Sequence, residues 1–206
     1  MCAAAEAHQR SRFARRTYYD AVAVNHPRQC LIDQAESQDN SMTHFIRRLD
    51  AADAAAFRQI RLAALQQHPE AFSAAWESEQ QQPLDFFAQR LRNNAVFAGF
   101  NDNGDMQGVV GVARSEAAKI RHIASLWGVY LCPEARGCGL ARALILNALH
   151  FAQTECQSVR LSVTASNTGV IRLYHSLGFK EWARDRHALN VNGTFYDEIL
   201  MRLDCD

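Results

Sequence analysis

The stretch Tyr130-Leu131-Cys132-Pro133-Glu134-Ala135-Arg136-Gly137-Cys138-Gly139-Leu140-Ala141 holds the residue types from which chemistry can be built. An apolar strand-like run ends, Pro133 stops it, and a loop with two glycines opens an amphipathic helical run. The first amides of a helix have no partners inside it, and the helix dipole adds partial positive charge beside them. Glycine allows close approach because no Cβ intervenes. Such a junction is an anion site, above all for phosphate or pyrophosphate. It lacks the Lys-Ser/Thr pair of a nucleotide-hydrolysing loop and it lacks G-x-G-x-x-G. Phosphate is therefore expected to be held here and not cleaved. On this loop alone, a plain strand–turn–helix junction fits equally well.

A second stretch, Val163 to Phe179, reads Val-Thr-Ala-Ser-Asn-Thr-Gly-Val-Ile-Arg-Leu-Tyr-His-Ser-Leu-Gly-Phe. Taken together, the two stretches resemble the GCN5-related N-acetyltransferase (GNAT) superfamily. Arg136-x-x-Gly139-x-Ala141 matches its acyl-CoA loop, R/Q-x-x-G-x-G/A, and Asn167, Tyr174 and Gly178-Phe179 match its N-x₆-Y-x₃-G-F. The likeness runs from about Thr43 to Leu203. It implies an α/β, GNAT-type fold: a central mixed, mostly antiparallel sheet with a splayed strand pair, flanked by helices.

The resemblance also implies roles. The strand end Val129-Tyr130-Leu131 would offer backbone groups to the pantetheine arm of acetyl-CoA. The amides of Gly137, Cys138, Gly139, Leu140, Ala141 and Arg142 would cradle its pyrophosphate, with the charge of Arg136 adding to the field. Asn167 would hydrogen-bond the cofactor arm near the thioester, and Tyr174 would protonate the departing thiolate. A Cβ at Gly139 is expected to intrude on the pyrophosphate while leaving the fold intact. The activity implied is acetyl-CoA-dependent N-acetyl transfer to a primary amine, direct within a ternary complex, since no Cys is paired with an identifiable His base. The acceptor expected is a small molecule such as an amino acid, a polyamine or a xenobiotic amine. A protein N-terminus or lysine is the alternative, and a non-catalytic acyl-CoA sensor is a third reading.

An amine attacks a thioester only as its free base, so a group must accept a proton, directly or through water. The oxyanion needs a donor, for which the Val129 N–H is suited. Some members of the superfamily place a Glu five residues before the Asn; here that position is Ser162. The remaining candidates are Glu77 (as base or substrate contact), Glu79, Asp197 and His122, each of which also reads as a solvated polar residue. Trp76 and Trp127 could line an acceptor pocket, though core packing is their default. Cys138 could be a redox-sensitive thiol, or simply a small loop residue.

These residues must be positioned by the elements around them. Thr43 to Leu49 reads as a short strand, and Asp50 can cap a helix with Phe57, Ile60, Ala64 and Leu65 at helical spacing, stopping near His68-Pro69. Ala71 to Gln82 reads as a second helical tract, and Pro83 opens a third. Strands follow at Ala95–Phe100, Met106–Ala113 and about Ile120–Leu131. A helix then presents Leu140, Leu144, Ala148 and Phe151 on one face. Val159, Leu161 and Val163 alternate as a strand, Asn167 to Leu177 reads as a helix, and two final strands flank Asn192-Gly193, a pair suited to a type I′ turn.

Composition sets the outer bounds. The 206 residues carry 22 Lys+Arg against 22 Asp+Glu with 48% apolar residues, which suits one domain with tails. Neutrality gives no electrostatic reason to expect nucleic acid or an anionic membrane as partner. The partners implied are acetyl-CoA and a small amine, with a homodimer allowed. Cys2, Cys30, Cys132, Cys138, Cys156 and Cys205 form no C-x-x-C pair, so reduced thiols in a cytoplasmic protein, without a metal, are expected. No signal peptide or membrane span is expected. Residues 1–41 are polar towards their end and read as a disordered extension, or as a coding start placed upstream of Met42. The acetyltransferase domain is expected over 42–206.

Overall fold

Asp50 opens the first helical segment as its residue type predicts. Its carboxylate accepts the Ala52 amide at 2.8 Å, while Asp53 reaches back to the Asp50 amide at 2.9 Å, a reciprocal capping box. The structure, a computed structural model, describes residues 45–205. The expectations for 1–41, and for Thr43 and His44 in the first strand, lie outside the described residues. After a 3₁₀ turn over Ala51–Asp53, α1 runs over Ala54–Gln67 and buries Phe57, Ile60, Ala64 and Leu65. It stops where the sequence places the stop, because a residue before proline is driven out of the helical region; His68 has φ −135° and ψ 59°.

The second helical tract is shorter than expected. Instead of Ala71 to Gln82, a 3₁₀ turn at Pro69–Ala71 is followed by extended Phe72 and then by a single-turn helix, α2, over Trp76–Glu79. No side chain caps α2, so little offsets the cost of nucleating a longer helix. Pro83 then takes the N-cap position of α3, Leu84–Asn93, which buries Phe87, Ala88 and Leu91.

The strands are β1 (Phe45–Arg48), β2 (Ala95–Phe100), β3 (Met106–Arg114), β4 (Ile123–Leu131), β5 (Ser158–Thr164), β6 (Lys180–Val191) and β7 (Thr194–Asp204). They form one sheet in the order β1-β2-β3-β4-β5-β7-β6, and every neighbouring pair is antiparallel except β4 and β5. That parallel pair is joined through helix α4 (Leu140–Gln153), as parallel strands require a crossover. Leu140, Leu144, Ile145 and Ala148 of α4 pack on one sheet face with Val110, Val112, Val159 and Leu161, beside α5 (Thr168–Ser176). On the other face, α1 and α3 cover Val96, Ala98, Val109 and Tyr130. The β6–β7 hairpin turns at Asn192 (φ 50°) and Gly193 (φ 87°), both left-handed as a type I′ turn demands. Among the described residues, no helix is long and apolar enough to cross a membrane.

Candidate active site

The parallel strands β4 and β5 stay together for three residue pairs only, Ile123↔Ser158, Ala124↔Val159 and Ser125↔Arg160. Beyond Ser125 they diverge, so among the described residues the rest of β4 has a sheet edge facing the gap without a strand on it. A bulge sits in the free part. Gly111 pairs with Trp127, but Val109 pairs with Tyr130, so β4 carries one residue more than β3. Gly128, at φ 63°, takes the left-handed conformation that such a bulge uses. The extra residue resets the alternation of side chains. Leu126, Val129 and Leu131 all join the α4 face, while Trp127 and Tyr130 join the α1 face. Tyr130 is thereby buried, and its hydroxyl donates to Gln67 Oε1 at 2.9 Å.

Both helices that follow the diverging strands begin at the open end of the gap, the carboxyl end of a parallel pair, where α/β sheets offer ligands a crevice. Gly137 (φ 80°) and Gly139 (φ 87°) hold the loop before α4 in left-handed turns. Gly139 is the N-cap residue and supplies no side-chain cap; the first helical bond is Ala143 N–H to Gly139 O at 3.1 Å. The amides of Leu140, Ala141 and Arg142 therefore lie outside the helical ladder. A Cβ at either glycine would meet nothing within 4 Å. The left-handed φ nevertheless strains any residue with a Cβ, so a side chain at 139 costs some stability before any ligand is met. Cys138 is turned inward, with Sγ 3.0 Å from the Ala135 carbonyl it donates to. Arg142 Nη1 reaches Ser176 Oγ at 3.5 Å.

Arg136 is exposed, and its guanidinium is directed at the strand end. Nε and Nη2 donate to the Leu131 carbonyl at 3.3 Å, and Nη2 lies 3.1 Å from His68 Nε2. An arginine can only donate, so His68 accepts through Nε2 and carries its proton on Nδ1, which faces Glu70 Oε1 at 3.5 Å. The Glu70 carbonyl in turn accepts Thr164 Oγ1 at 2.7 Å. The turn Pro69–Ala71 thus bridges from the end of β4 to the end of β5. In the sequence His68-Pro69 marks only a helix stop; a His and a Glu flanking that proline are the available signal.

Asn167 and Tyr174 lie on α5, which follows β5. Asn167 is exposed and is the N-cap residue: its Oδ1 accepts the Val170 amide at 3.4 Å, leaving Nδ2 as a donor. Tyr174 is buried, its ring edge-on to Phe179 with centroids 5.5 Å apart. Burial holds its hydroxyl well above the ordinary phenol range, in the protonated form.

The candidate bases are scattered. Glu79 is buried between Arg61 (2.9 and 3.1 Å) and Arg90 (2.9 Å). Burial alone would raise its carboxyl, but the two guanidinium groups outweigh it and hold it below the ordinary range. It joins α2 to α1 and α3, and two cations hold it as a carboxylate, which makes it a poor acceptor for a substrate proton. Glu77 is exposed on α2. His122 is exposed, immediately before β4, at the opposite end of that strand from Leu131. Asp197 accepts the His187 amide at 2.9 Å and Arg184 Nε at 2.9 Å, and these bonds, the amide first, hold its carboxyl low. It lines an open cleft of about 300 Å³ with Thr164, Ala165, Ser166, Arg184 and His187. His187 sits there at φ 54°, where β6 skips register against β7. Trp76 lies on α2, while Trp127 packs edge-on to Phe57 at 6.5 Å beneath Arg90 and Arg61. Ser162 is not alone: its hydroxyl donates to Glu198 Oε1, on β7, at 3.1 Å.

A mixed sheet that opens between two parallel strands, with a glycine loop and an uncapped helix at the opening, is the architecture of the GNAT acetyltransferase fold. The chain belongs to the acetyltransferase (GNAT) family, whose family model matches residues 58–179. Among similar proteins, the mycothiol acetyltransferase of Thermobispora bispora is 44% identical over 64 residues, covering 31% of this chain and 22% of that protein. That of Renibacterium salmoninarum is 37% identical over 79 residues, 35% of this chain and 23% of that protein. The chain thus spans under a quarter of the length of these relatives. A GNAT acetyltransferase from Streptococcus pneumoniae shares the fold with a TM-score of 0.71 at 21% identity, over 79% of this chain and 99% of that one. An acetyltransferase from Salmonella typhimurium, solved with its cofactor acetyl-CoA, superposes with a TM-score of 0.66 at 25% identity, over 80% of this chain and 95% of that one.

Proposed function

We propose that this chain is an acetyl-CoA-dependent N-acetyltransferase that acts on the primary amine of a small molecule by direct transfer. The observation that carries the reading is the coincidence of three features at one end of the sheet: the free edge of β4, the Gly137–Gly139 loop, and the first turn of α4 outside its helical ladder. An elongated ligand with a doubly charged pyrophosphate matches them in order. The edge from Leu126 to Leu131 would take the pantetheine arm as an added strand takes its neighbour, and the amides of residues 137–142 would take the pyrophosphate.

Acetyl-CoA supplies an activated acyl group, whose C–S bond breaks as the amine's C–N bond forms. The chain's own residues do the rest. The Val129 amide, re-aimed by the bulge at Gly128, is offered to the developing oxyanion. Asn167 Nδ2 orients the arm, and Tyr174, kept protonated by burial, gives its proton to the leaving thiolate. Arg136 must release the Leu131 carbonyl if it is to add its charge to the phosphate field. Glu77, exposed on α2, is kept as a substrate contact.

We take the acceptor to be small and to enter beside the turn Pro69–Ala71, which is tied to Thr164 at the end of β5. The mycothiol acetyltransferases that resemble the chain match too small a part of it to pass on their substrate. The test is incubation with acetyl-CoA and a panel of amino acids, polyamines and xenobiotic amines, following thiol release. Turnover on at least one amine is expected. CoA binding without turnover on any of them would leave a sensor.

A further inference from the structure

The mechanism above leaves the amine's proton without a destination, and β7, the strand beside β5, offers one. Ser162 stands two residues beyond Arg160, the last β5 residue paired with β4, and so at the start of the gap. In the β5–β7 register Thr164 lies directly opposite Glu198 and Ser162 opposite Leu200, so Ser162, Thr164 and Glu198 share one sheet face. The turn carrying Glu70 is seated over that face through Thr164. Ser162 and Glu198 therefore lie between the opening of the sheet and the turn that crosses it, joined by a hydrogen bond of 3.1 Å.

Resting on the acetyl-transfer reading, we infer that Glu198 on β7, acting through the Ser162 hydroxyl, accepts the proton of the attacking amine. The substrate ammonium gives its proton to Ser162 Oγ as Ser162 gives its own to Glu198 Oε1. The nitrogen lone pair is then free to attack; the second proton, shed by the nitrogen as the amide forms, replaces the one that Tyr174 gives to the thiolate, and the carboxylic acid returns its own to solvent after product leaves. No other co-reactant is needed. The carboxylate that this strand lacks at position 162 is thus supplied from the neighbouring strand.

The surroundings suit the task. Glu198 is half-buried, and burial raises its carboxyl above the ordinary range; the Ser162 bond opposes that shift and the Asp185 carboxylate, directly opposite on β6, adds to it. Other charged groups stand on this face: Arg202, opposite Arg160, and Lys180, opposite Arg202, lie further along the strands, Arg202 donating to Asp204, and the buried Arg160 Nε has no hydrogen-bond partner among the described residues. Arg160 lies over the Trp182 ring at 5.9 Å, and the Glu70 carboxylate faces His68. Asp197, the neighbouring residue, points to the other face, where Arg184 donates to its Oδ2 and the His187 amide to its Oδ1.

The test uses the full chain, acetyl-CoA and an amine that the wild type acetylates. Glu198→Gln is expected to lower kcat about a hundredfold, to remove the acidic limb of the kcat/KM–pH profile, and to leave CoA affinity by calorimetry unchanged. Ser162→Ala is expected to act in the same direction, and Glu198→Asp to restore the acidic limb at a reduced rate. Wild-type rate and pH profile in Glu198→Gln would overturn the inference while leaving the acetyl-transfer reading in place. A wild type that turns over no amine would sink both. Independently of turnover, the Glu198 carboxyl followed by ¹³C NMR in the wild type should titrate above the ordinary carboxylate range, and titration at or below that range would overturn the inference.

Discussion

Gly139 allows the loop's two roles, making the turn and admitting an anion, to be separated. At φ 87° a residue with a Cβ is strained by about 1–2 kcal/mol, with β-branched residues at the upper end and asparagine well below it. Among the described residues nothing lies within 4 Å of that Cβ, so no clash with them adds to the strain. For a domain of this size about 1 kcal/mol corresponds to about 2–4 °C in Tm. Gly139→Val should therefore lose about 4–8 °C, and Gly139→Asn less than about 4 °C. Both side chains occupy the approach to the amides of residues 140–142. Loss of one charge-assisted bond is worth about 1.5–3 kcal/mol, which is about ten- to hundredfold in Kd. Differential scanning fluorimetry gives the first quantity and calorimetric titration with CoA the second. An asparagine variant that binds CoA as tightly as the wild type would show that the glycine serves the turn alone, and the pyrophosphate would have to be placed elsewhere.

Three further outcomes follow from the geometry. Glu79→Gln leaves the Arg61 and Arg90 guanidinium groups uncompensated beside Trp127 and should cost about 3–5 kcal/mol by urea denaturation; since the folded-state carboxyl is held low, the wild type's advantage should be present above the unfolded-state value and vanish as pH falls through the folded one. Tyr174→Phe should keep CoA affinity and slow acetyl transfer about a hundredfold, and an unchanged rate would remove it as the acid. Glu198 titrates the opposite way: its raised carboxyl favours folding below its unfolded value and loses that contribution as pH rises through the folded one, so Glu198→Gln should be at least as stable as the wild type in alkaline urea melts.

The parts of this site that depend on local chemistry were legible in the residues themselves. Asp50 caps, Pro69 stops α1, Asn192-Gly193 turns the last hairpin, and Gly137 and Gly139 take the left-handed turns that a glycine-punctuated loop suggests. What depends on register was not legible. Gly128 is a lone glycine in an apolar strand, and only its pairing against β3 shows that it flips Val129 and Leu131 to the α4 face. Ser162 looked like a missing base because its partner stands 36 residues away on another strand. Glu79 looked like a surface carboxylate because α2 is one turn long, and nothing in four residues says which side docks against two arginines. Arg136, placed at the phosphates by its motif, rests on the strand end through His68, a contact between segments 68 residues apart.

The central claim is that acetyl-CoA lies along the free edge of β4 with its pyrophosphate on the start of α4. Amide hydrogen exchange with and without acetyl-CoA tests it most directly. Protection is expected to rise in residues 126–131 and 137–142 together, and to change little at the start of β4, where Ile123, Ala124 and Ser125 are already paired with β5. Saturating acetyl-CoA that leaves both segments exchanging as in the free protein would contradict it.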